Sequence, residues 1–411
     1  MRIALRIPHD RPFTATGLRD ESTFLFRRVS DQGRAVLGVG ALEWLEEPRF
    51  TEAGQVADWT FGHLTYEMKN HLEPLKSRHP DRFGFPEQRW FVPRWVVEWK
   101  GEEAWLHVLP GDETAGLAFL DRMLTPASSK PFAAPGHWTT YTSREQYLGH
   151  AETLLRHIHR GDIYEVNYCI ERTCGLRGWD PFAGFDRLLR NTQAPFAGFY
   201  RLDSRFALCA SPERFLAFDG TRAVGQPMKG TRPRAADPLE DERLRAELAS
   251  DAKERSENIM ALDVMRHDLS RVAAGRSVHV EELCAVHSFP QVHQMVSTVS
   301  ARIRAGHTPF DVVRAAFPMA SMTGAPKFRA MQLIDEVEDQ ARGLYSGTLG
   351  FFAPDGTADL NVVIRTVLYD EASGMASLST GSALTAACDP EQEWEECELK
   401  ARSITNALAH A

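Results

Sequence analysis

The residue best placed to do chemistry in this sequence is Lys229. Pro227 precedes it by two residues and Gly230 follows it directly, a pattern that predicts a stiff, narrow loop presenting the lysine, with a tight approach or a positive φ at Gly230. Arg232 and Arg234 follow, so three cations lie close together. Crowded cations and burial lower the pKa of an amine, and a neutral lysine amine is a nucleophile. A solvated basic loop has the same composition, and the local sequence leaves both interpretations open.

Two predicted helices each carry a pair of glutamates one turn apart. The helix over residues 251–272 carries Glu254 and Glu257, and the C-terminal helix carries Glu393 and Glu396. If the helices meet, the four carboxylates could share one Mg²⁺, which prefers oxygen ligands. A solvated face on each helix would have the same spacing, because nothing in the sequence shows that the helices meet.

Further polar candidates lie where predicted strands and helices begin or end. One strand alternates between apolar residues and a face with Glu165 and Asn167, which therefore point either to solvent or to a polar site. Glu213 comes just after another strand. Thr323 precedes a helix start that could bind an anion, and Arg365 could hold a carboxylate through two hydrogen bonds.

The elements that must position these residues follow from hydrophobic period and capping signals. A capping box at Ser143 and Gln146 begins one helix, which Gly161 ends. Asp389 caps the C-terminal helix, and Pro390 takes its first position. Strands are predicted at 24–26, 35–39, 95–99, 104–108, 163–172, 207–210, 347–352, 359–368 and 375–380, and a helix runs from Pro326 to about Glu338. The predicted buried stripe of the helix over 251–272 is Ile259, Leu262, Leu269 and Val272.

Length and composition are those of a soluble globular protein. The 411 residues can bury a large core, with 43% hydrophobic and 25% charged residues. A net charge of −9 argues against nucleic acid or an anionic membrane as a partner. The six cysteines lack metal-site spacing, which is typical of reduced thiols. The chain begins without the apolar run of a signal peptide, and no stretch is apolar enough to span a membrane, so we expect a cytoplasmic protein.

Eight segments, in order, resemble the chorismate-utilising enzymes, which are the anthranilate, aminodeoxychorismate, isochorismate and salicylate synthases. The resemblance covers roughly residues 140 to 411, and the first 130 residues resemble only the weaker N-terminal part of those chains. The segments are Gly161–Asn167, Ser211–Leu216, Pro227–Arg234, Lys253–Asn258, Val292–Ser297, Thr323–Lys327, Asn361–Thr366 and Asp389–Lys400.

The resemblance implies an α/β (α+β) fold, a chorismate-binding sandwich of two antiparallel β-sheets with helices packed outside. It divides the chain into an N-terminal part of the synthase fold, residues 1–130, and a chorismate-binding catalytic core, residues 140–411. The Pro- and Ser-rich stretch 124–138 is the expected linker between them. Mg²⁺ is the implied cofactor and chorismate the implied substrate. Ammonia would come from a separate glutamine amidotransferase subunit, because the chain has no glutaminase cysteine motif.

Carried over position by position, the resemblance also implies the site residues. The implied catalytic residues are Lys229, Glu213 as the general acid, and His293, whose role differs among members. The implied metal ligands are Glu254, Glu257, Glu393 and Glu396. The implied substrate-binding residues are Thr323, Tyr345, Arg365, Gly381 through its backbone, Lys400 and Glu165.

Two positions separate the members of the family. Where this chain has Glu165, isochorismate and salicylate synthases have a lysine base and the aminating enzymes usually have glutamine, so the role of this glutamate is open. Lys229 matches the members that aminate chorismate at C4, whereas the anthranilate and salicylate enzymes often have alanine there. Ala383 departs from the glycine usual at its position, and the Leu-Leu-Glu-Ser element that anthranilate synthases use to sense tryptophan is missing.

We therefore expect an enzyme that aminates chorismate at C4 for p-aminobenzoate and folate biosynthesis. An anthranilate-forming member is the alternative within the family. An inactive relative that only binds chorismate or a partner is the alternative from another class. The inactive alternative predicts losses among the metal-binding and acid positions, and in this chain all of them are filled.

Overall fold

The computed structural model describes residues 2–8, 13–125, 135–289 and 292–409. Its strands are β1 (Ile3–Ile7), β2 (Thr23–Val29), β3 (Arg34–Leu45), β4 (Thr60–Leu64), β5 (Gln88–Lys100), β6 (Glu103–Val108), β7 (Thr139–Thr140), β8 (Glu165–Gly175), β9 (Gly198–Leu202), β10 (Arg205–Cys209), β11 (Arg214–Asp219), β12 (Arg222–Gly225), β13 (Met228–Pro233), β14 (His279–Ser288), β15 (Val292–Arg302), β16 (Gly324–Ala325), β17 (Thr348–Phe352), β18 (Thr357–Asn361), β19 (Thr366–Asp370) and β20 (Met375–Thr385). Its α-helices are α1 (Lys69–Leu72), α2 (Glu113–Leu124), α3 (Arg144–Arg160), α4 (Pro181–Thr192), α5 (Pro238–Ser250), α6 (Ala252–Ser270), α7 (Pro309–Ala316), α8 (Lys327–Val337) and α9 (Pro390–Ala409).

The described strands pair only antiparallel and form one hydrogen-bonded sheet that divides at β5. One edge of β5 pairs with β3, and its other edge pairs with β6 along one half and with β4 along the other. The first arm runs from β1 and β6 through β5, β3, β2, β9, β10, β19 and β20 to β8. The second arm runs from β5 through β4, β17, β18, β11 and β12 to β15, which also pairs with β13 and β14.

The two arms pack face to face with helices on their outer sides. Alternation along β2 shows this directly, since Leu25 belongs to the cluster between the arms while Phe24 and Phe26 face outward. Helices α2, α4 and α9 cover the outside of the first arm, α6 and α7 cover the second, and α3 and α8 pack beside β8. The expected sandwich is confirmed, with its two layers continuous through β5.

Several elements form where local signals predict them. Ser143 accepts the Gln146 backbone N–H and closes a capping box at the start of α3, and Gly161 ends this helix with φ of 86°. The predicted hairpin around Gly101 is the β5–β6 pair. At the start of α9, Asp389 Oδ1 accepts the backbone N–H of Glu391.

Other predictions of structure are wrong in detail. The strand predicted over residues 359–368 is divided into β18 and β19, with Arg365 between them at φ of 53°. Tyr164 lies on the apolar face predicted for the strand over 163–172, but it is 65% exposed because β8 begins only at Glu165. Ile259, predicted to be in the buried stripe of α6, lies on the exposed side of that helix. Ala261 and Met265 are among the residues on its buried side.

The two regions inferred from the resemblance share one sheet, since β2 pairs with β9 and β4 with β17. Their division into separate parts stays a prediction. Most of the predicted linker, residues 126–134, lies outside the described residues. None of the described helices combines the length and apolar character needed to cross a membrane.

Candidate active site

A cavity of about 640 Å³ gathers most of the residues singled out from the sequence. Its walls come from the start of β13, the first turns of α6 and α9, the middle of β20 and the turn before β16. Apart from β20 and α9, which follow one another in the chain, these elements are far apart in sequence, so the fold brings them together. The predicted site residues that line the cavity are Glu213, Lys229, Glu254, Glu257, Tyr345, Arg365, Gly381, Glu393, Glu396 and Lys400.

Lys229 lies on a strand, not on the loop predicted for it. It sits in β13, where the pairing with β15 shifts between Met228 and Thr231. Such a bulge re-aims side chains and requires an unusual backbone nearby. Gly230 provides it with φ of 80°, and a Cβ there would lie 3.0 Å from Glu254. The prediction of a special backbone at Gly230 is therefore confirmed.

The surroundings of the Lys229 amine are anionic. Its Nζ donates a hydrogen bond of 2.8 Å to Glu165 Oε1 and lies 3.8 Å from Glu257 Oε2. Arg232 and Arg234 each pair with an aspartate instead, at 2.8 Å and 2.7 Å. Burial lowers the pKa of Lys229, but the charges of Glu165 and Glu257 outweigh it and place the pKa above its ordinary value. The expected lowering by the arginines is wrong, and Lys229 rests as an ammonium.

The polar face of β8 is buried, so the solvent-facing interpretation of Glu165 and Asn167 is wrong. Glu165 is 4% exposed and contacts the Lys229 amine. Asn167 is 8% exposed, lines the cavity and donates from Nδ2 to the carbonyl of Ser321 at 2.7 Å. A buried polar strand face is tolerated here because each side chain has a partner.

Glu213 lies at the cavity wall just before β11 and is 6% exposed. Burial raises the pKa of its carboxyl to about 7, against the opposing effects of the Ser321 hydroxyl, Lys229 and Lys400. Burial therefore favours the protonated form of this carboxyl. A buried carboxyl of this kind can act as a general acid.

The two glutamate pairs meet at the cavity, as the sequence alone could not show. Glu254 and Glu257 approach from α6, and Glu393 and Glu396 approach from α9. Lys253 Nζ lies between the helices, 3.2 Å from Glu393 Oε1 and 3.9 Å from Glu257 Oε1. Within the described residues, no three acidic, histidine or cysteine side chains are already grouped around a point that could hold a metal ion.

The carboxylates are nevertheless poised to accept positive charge. The Oε1 atom of Glu257 is buried without a hydrogen-bond partner among the described residues. Burial raises the pKa of Glu257 to about 7 and also raises those of Glu254 and Glu393. Glu396 differs because Lys400, 2.5 Å away, outweighs the effect of burial and lowers its pKa. A buried carboxylate oxygen that accepts no hydrogen bond, in a cavity that three further glutamates also line, fits a hard divalent cation.

Arg365 supplies a guanidinium to the cavity wall. Its left-handed φ of 53° is costly for a residue with a side chain, and such strain concentrates at functional sites. Nη1 donates to Ser403 Oγ at 2.9 Å. Tyr345, which is 4% exposed, lines the cavity as well. Arg365 and Tyr345 together offer hydrogen-bond donors to an anionic ligand.

Gly381 brings backbone rather than a side chain to the cavity. A Cβ at this position would lie 2.5 Å from both Asn167 Oδ1 and Cys169 Sγ, so only glycine permits the close pairing of β20 with β8. The carbonyl of Gly381 accepts a hydrogen bond of 2.7 Å from Lys400 Nζ. This bond fixes the Lys400 ammonium at the wall.

His293 does not line the cavity. It is 1% exposed, with Nδ1 2.8 Å from Ser288 Oγ and Nε2 3.1 Å from Asp241 Oδ1. Its neighbour Gln294 takes the position in the cavity, because adjacent residues of a strand face opposite sides. Gln294 was missed from the sequence, although strand alternation at this point offered a signal.

Gln294 braces the strand that carries Lys229. Its Oε1 accepts from Thr231 Oγ1 at 2.9 Å, and its Nε2 donates to the carbonyl of Gly230 at 2.8 Å. Both ends of the amide are therefore used on the two residues that follow Lys229. This contact fixes the bulge from which the lysine side chain projects.

Thr323 is fully buried and does not line the cavity, and its hydroxyl donates to the carbonyl of Met319 at 3.0 Å. The residues just before it, Ser321 and Met322, form the cavity wall. The Oγ of Ser321 is buried without a hydrogen bond of standard geometry, close enough to Glu213 to influence the pKa of that carboxyl. Nothing in the sequence distinguishes Ser321 from Thr323 in this respect.

Comparison with known proteins places this site in a family. A family model described as "chorismate binding enzyme" matches residues 27–406. The chain belongs to the chorismate binding enzymes. The match extends over both arms of the sheet and over the helices that line the cavity.

Relatives within this family carry two different names. Aminodeoxychorismate synthase component 1 of Klebsiella aerogenes is 36% identical over 84% of this chain and 76% of its own length. Its Escherichia coli counterpart is 38% identical over the same shares. Anthranilate synthase component 1 of Thermus thermophilus is 35% identical over 85% of this chain and 77% of its own length. Overall identity therefore does not separate the two activities.

Solved structures of the family share the fold. Anthranilate synthase component I of Streptococcus pneumoniae matches with a TM-score of 0.76 at 22% identity, over 98% of this chain and 92% of its own. The menaquinone-specific isochorismate synthase of Escherichia coli matches with a TM-score of 0.80 at 16% identity, over 100% of this chain and 94% of its own. At these identities the likeness extends to the fold alone.

Proposed function

We propose that this protein is an aminodeoxychorismate synthase component I, which converts chorismate and ammonia to 4-amino-4-deoxychorismate. The observation that carries the proposal is the Lys229 amine in the cavity that also contains Glu213. The names of two of the relatives described above support it. Anthranilate synthase component I is the second candidate, favoured only by a relative of nearly equal identity.

The cavity suits a small dianion such as chorismate, whose two carboxylates need cationic or hydrogen-bonding partners. Arg365, Tyr345 and Lys400 offer these, and about 640 Å³ is room for a single ring with its substituents. The four glutamates that also line the cavity would repel a dianion unless a cation lay between them. Substrate binding and cation binding are therefore coupled in this proposal.

Glu254, Glu257, Glu393 and Glu396 are the residues that would hold Mg²⁺. The Oε1 atom of Glu257, which accepts no hydrogen bond among the described residues, is the structural feature that a cation would satisfy. Mg²⁺ usually keeps several waters and uses few protein carboxylates, so a preformed cage is not required. When bound, the ion would supply positive charge to a substrate carboxylate.

In the reaction proposed, Lys229 acts as the nucleophile and Glu213 as the general acid. The Lys229 ammonium first gives a proton to the Glu213 carboxylate, and its nitrogen lone pair then forms a bond to C2 of chorismate. The ring double bonds shift, the C4–O bond breaks, and Glu213 donates that proton so that the hydroxyl leaves as water. Ammonia then bonds to C4, the double bonds shift back, and the C2–N bond breaks to release the Lys229 amine, which takes up the proton that the new C4 ammonium loses.

The source of ammonia is part of the proposal. Relatives named "component 1" imply a second component, and a separate glutamine amidotransferase subunit would supply the nitrogen. We place the protein in the cytoplasm, in p-aminobenzoate and folate biosynthesis. The six unpaired cysteines support this location, since thiols stay reduced there.

The deciding experiment identifies the product by mass after incubation with chorismate, Mg²⁺ and ammonium. We expect 4-amino-4-deoxychorismate from the wild type and none from Lys229→Ala. Lys253→Ala is the matched control, because it removes another cavity lysine and should leave the identity of the product unchanged. Aminodeoxychorismate formation by Lys229→Ala at the wild-type rate would exclude a nucleophilic lysine, and anthranilate as the wild-type product would establish the second candidate.

A further inference from the structure

Two carboxylates, those of Glu165 and Glu257, lie near the Lys229 amine. Glu165 Oε1 accepts its hydrogen bond at 2.8 Å, while Glu257 Oε2 lies 3.8 Å away. The lysine side chain is 12% exposed, so water is a minor partner. A lysine has four rotatable bonds, and its amine settles wherever the local charges hold it. The position of this amine is therefore set by the carboxylate that binds it.

Glu165 is held far more rigidly than a surface carboxylate. In the sheet, Glu165 is paired with Ala325 of β16 on one side and with Thr385 of β20 on the other. The backbone of β16 approaches so closely that a Cβ at Gly324 would lie 2.1 Å from the Glu165 carbonyl oxygen. Glu165 itself is 4% exposed. A short side chain on a backbone fixed from both edges makes a precise anchor.

Glu257, by contrast, has another task in the proposed function. It is one of the four glutamates that would hold Mg²⁺, and its Oε1 atom accepts no hydrogen bond among the described residues. An ammonium that moved onto Glu257 would neutralise the carboxylate that the cation needs. Keeping Lys229 on Glu165 leaves Glu257 available.

We propose that Glu165 is a positioning residue for Lys229, whose carboxylate holds the lysine amine at the cavity wall and keeps it off Glu257. This inference rests on the proposed function for its catalytic consequence, since the tether matters to turnover only if Lys229 attacks the substrate. The hydrogen bond itself does not depend on which reaction the protein catalyses. The two parts can therefore be tested separately.

The first test measures the tether without any reaction. Purified wild type, Glu165→Ala and Glu165→Gln are treated with acetic anhydride, and acetylation of Lys229 is followed by peptide mass relative to the exposed Lys76. Removing the carboxylate should raise the relative labelling of Lys229 about three-fold or more, because the amine then has one carboxylate partner, Glu257, instead of two. Glu165→Gln keeps an oxygen acceptor and should fall between the other two.

Glu171→Gln is the matched control for these variants. Glu171 lies on the same strand and the same face, is 5% exposed, and accepts a hydrogen bond from Ser377 at 2.5 Å. It changes a buried carboxylate of β8 without touching Lys229. Its labelling should match the wild type. Equal labelling in Glu165→Ala, Glu171→Gln and the wild type would overturn the proposal.

The second test follows the chemistry. Chorismate and Mg²⁺ are added without ammonia, and the first-turnover rate of adduct formation on Lys229 is read by peptide mass. Glu165→Ala should lower this rate about ten-fold or more with little change in the KM for chorismate, and added acetate should restore part of it. Loss of rate through KM alone, or a loss equally large in Glu171→Gln, would contradict a positioning role.

The two tests keep the proposals apart. Increased labelling in Glu165→Ala with no adduct in the wild type supports the tether and rejects the nucleophilic lysine. Unchanged labelling together with a wild-type adduct rejects the tether and leaves the proposed function intact. Should Glu165→Ala fold poorly, as judged by its melting temperature, the Glu165→Gln variant decides both readouts.

Discussion

Replacing Glu213 with glutamine tests whether this buried carboxyl protonates the departing hydroxyl. The side chain is 6% exposed, and burial raises its pKa to about 7 against the opposing effects of Ser321 and two lysines. Glutamine keeps the size of the side chain but has no transferable proton. We expect kcat to fall by roughly 10² to 10⁴, the usual value of a general acid. The KM for chorismate should change by less than about three-fold, because binding groups remain in place.

The pH profile gives this prediction a sharper form. The proposed reaction needs a protonated Glu213 and a neutral Lys229, whereas the common form above pH 7 has the carboxylate and the ammonium. These two forms hold the same number of protons, so kcat/KM of the wild type should be flat above about pH 7. Below pH 7 both groups are protonated, and kcat/KM should fall about ten-fold per pH unit. In Glu213→Gln it should instead keep rising between about pH 7 and 9.

The same carboxyl should make the free energy of unfolding depend on pH. Its ordinary pKa of 4.5 applies to the unfolded chain, and the folded value of about 7 means that the native state holds the proton more tightly. Stability from this group is therefore complete below pH 4.5 and is lost as the pH rises through 7, by about 3 kcal/mol. Glu213→Gln removes this loss, so its melting temperature should exceed that of the wild type at pH 8 and lose the advantage at pH 4.5.

The assay is steady-state turnover with mass detection of product, at saturating Mg²⁺ and at a constant concentration of free ammonia. Melting temperatures of both proteins are measured across the same buffers. A variant with unchanged kcat and a raised KM would refute the reasoning and identify Glu213 as a binding group. A wild-type profile that lacks the inflection near pH 7 would show that this carboxyl does not titrate in the step measured.

Two further predictions concern the metal ligands and β15. Glu257→Gln or Glu396→Gln should abolish turnover with the fold retained, and Mg²⁺ should raise the melting temperature of the wild type by mass action but not that of the variants; full activity in chelator would contradict this. Gln294→Ala should lower kcat about ten-fold because it frees the strand that carries Lys229, whereas His293→Ala should lower the melting temperature with kcat nearly unchanged. Melting temperatures are measured by circular dichroism and kcat by turnover. A large loss of kcat in His293→Ala with little loss in Gln294→Ala would show that His293 belongs to the active site.

Local elements of this protein could be predicted because their causes are local. The capping box of α3 joins Ser143 and Gln146 within one turn. The turn at Gly101 connects β5 and β6, which are adjacent both in the chain and in the sheet. The special backbone of Gly230 followed from its place after Lys229 and was found at φ of 80°. The exceptions, such as the break at Arg365, arise where the sheet imposes a backbone that the local sequence does not prefer.

The candidate site could be predicted as a set of residues but not as an electrostatic environment. Lys229 was expected among cations because Arg232 and Arg234 are its neighbours in sequence. Its actual partner, Glu165, is 64 residues away in the chain. The pKa therefore moves in the direction opposite to the one expected, since charge interactions depend on distance in space.

By itself, the sequence determined which side chains the protein has for chemistry and the family pattern in which they occur. It also determined the helices and hairpins whose hydrogen bonds close within a few residues. Only the tertiary structure decided that α6 and α9 bring their glutamates to one cavity, and that Gln294 rather than His293 faces it. The same structure decided that Lys229 rests on Glu165. These outcomes depend on strand register and helix packing, which are set by contacts between residues far apart in the chain.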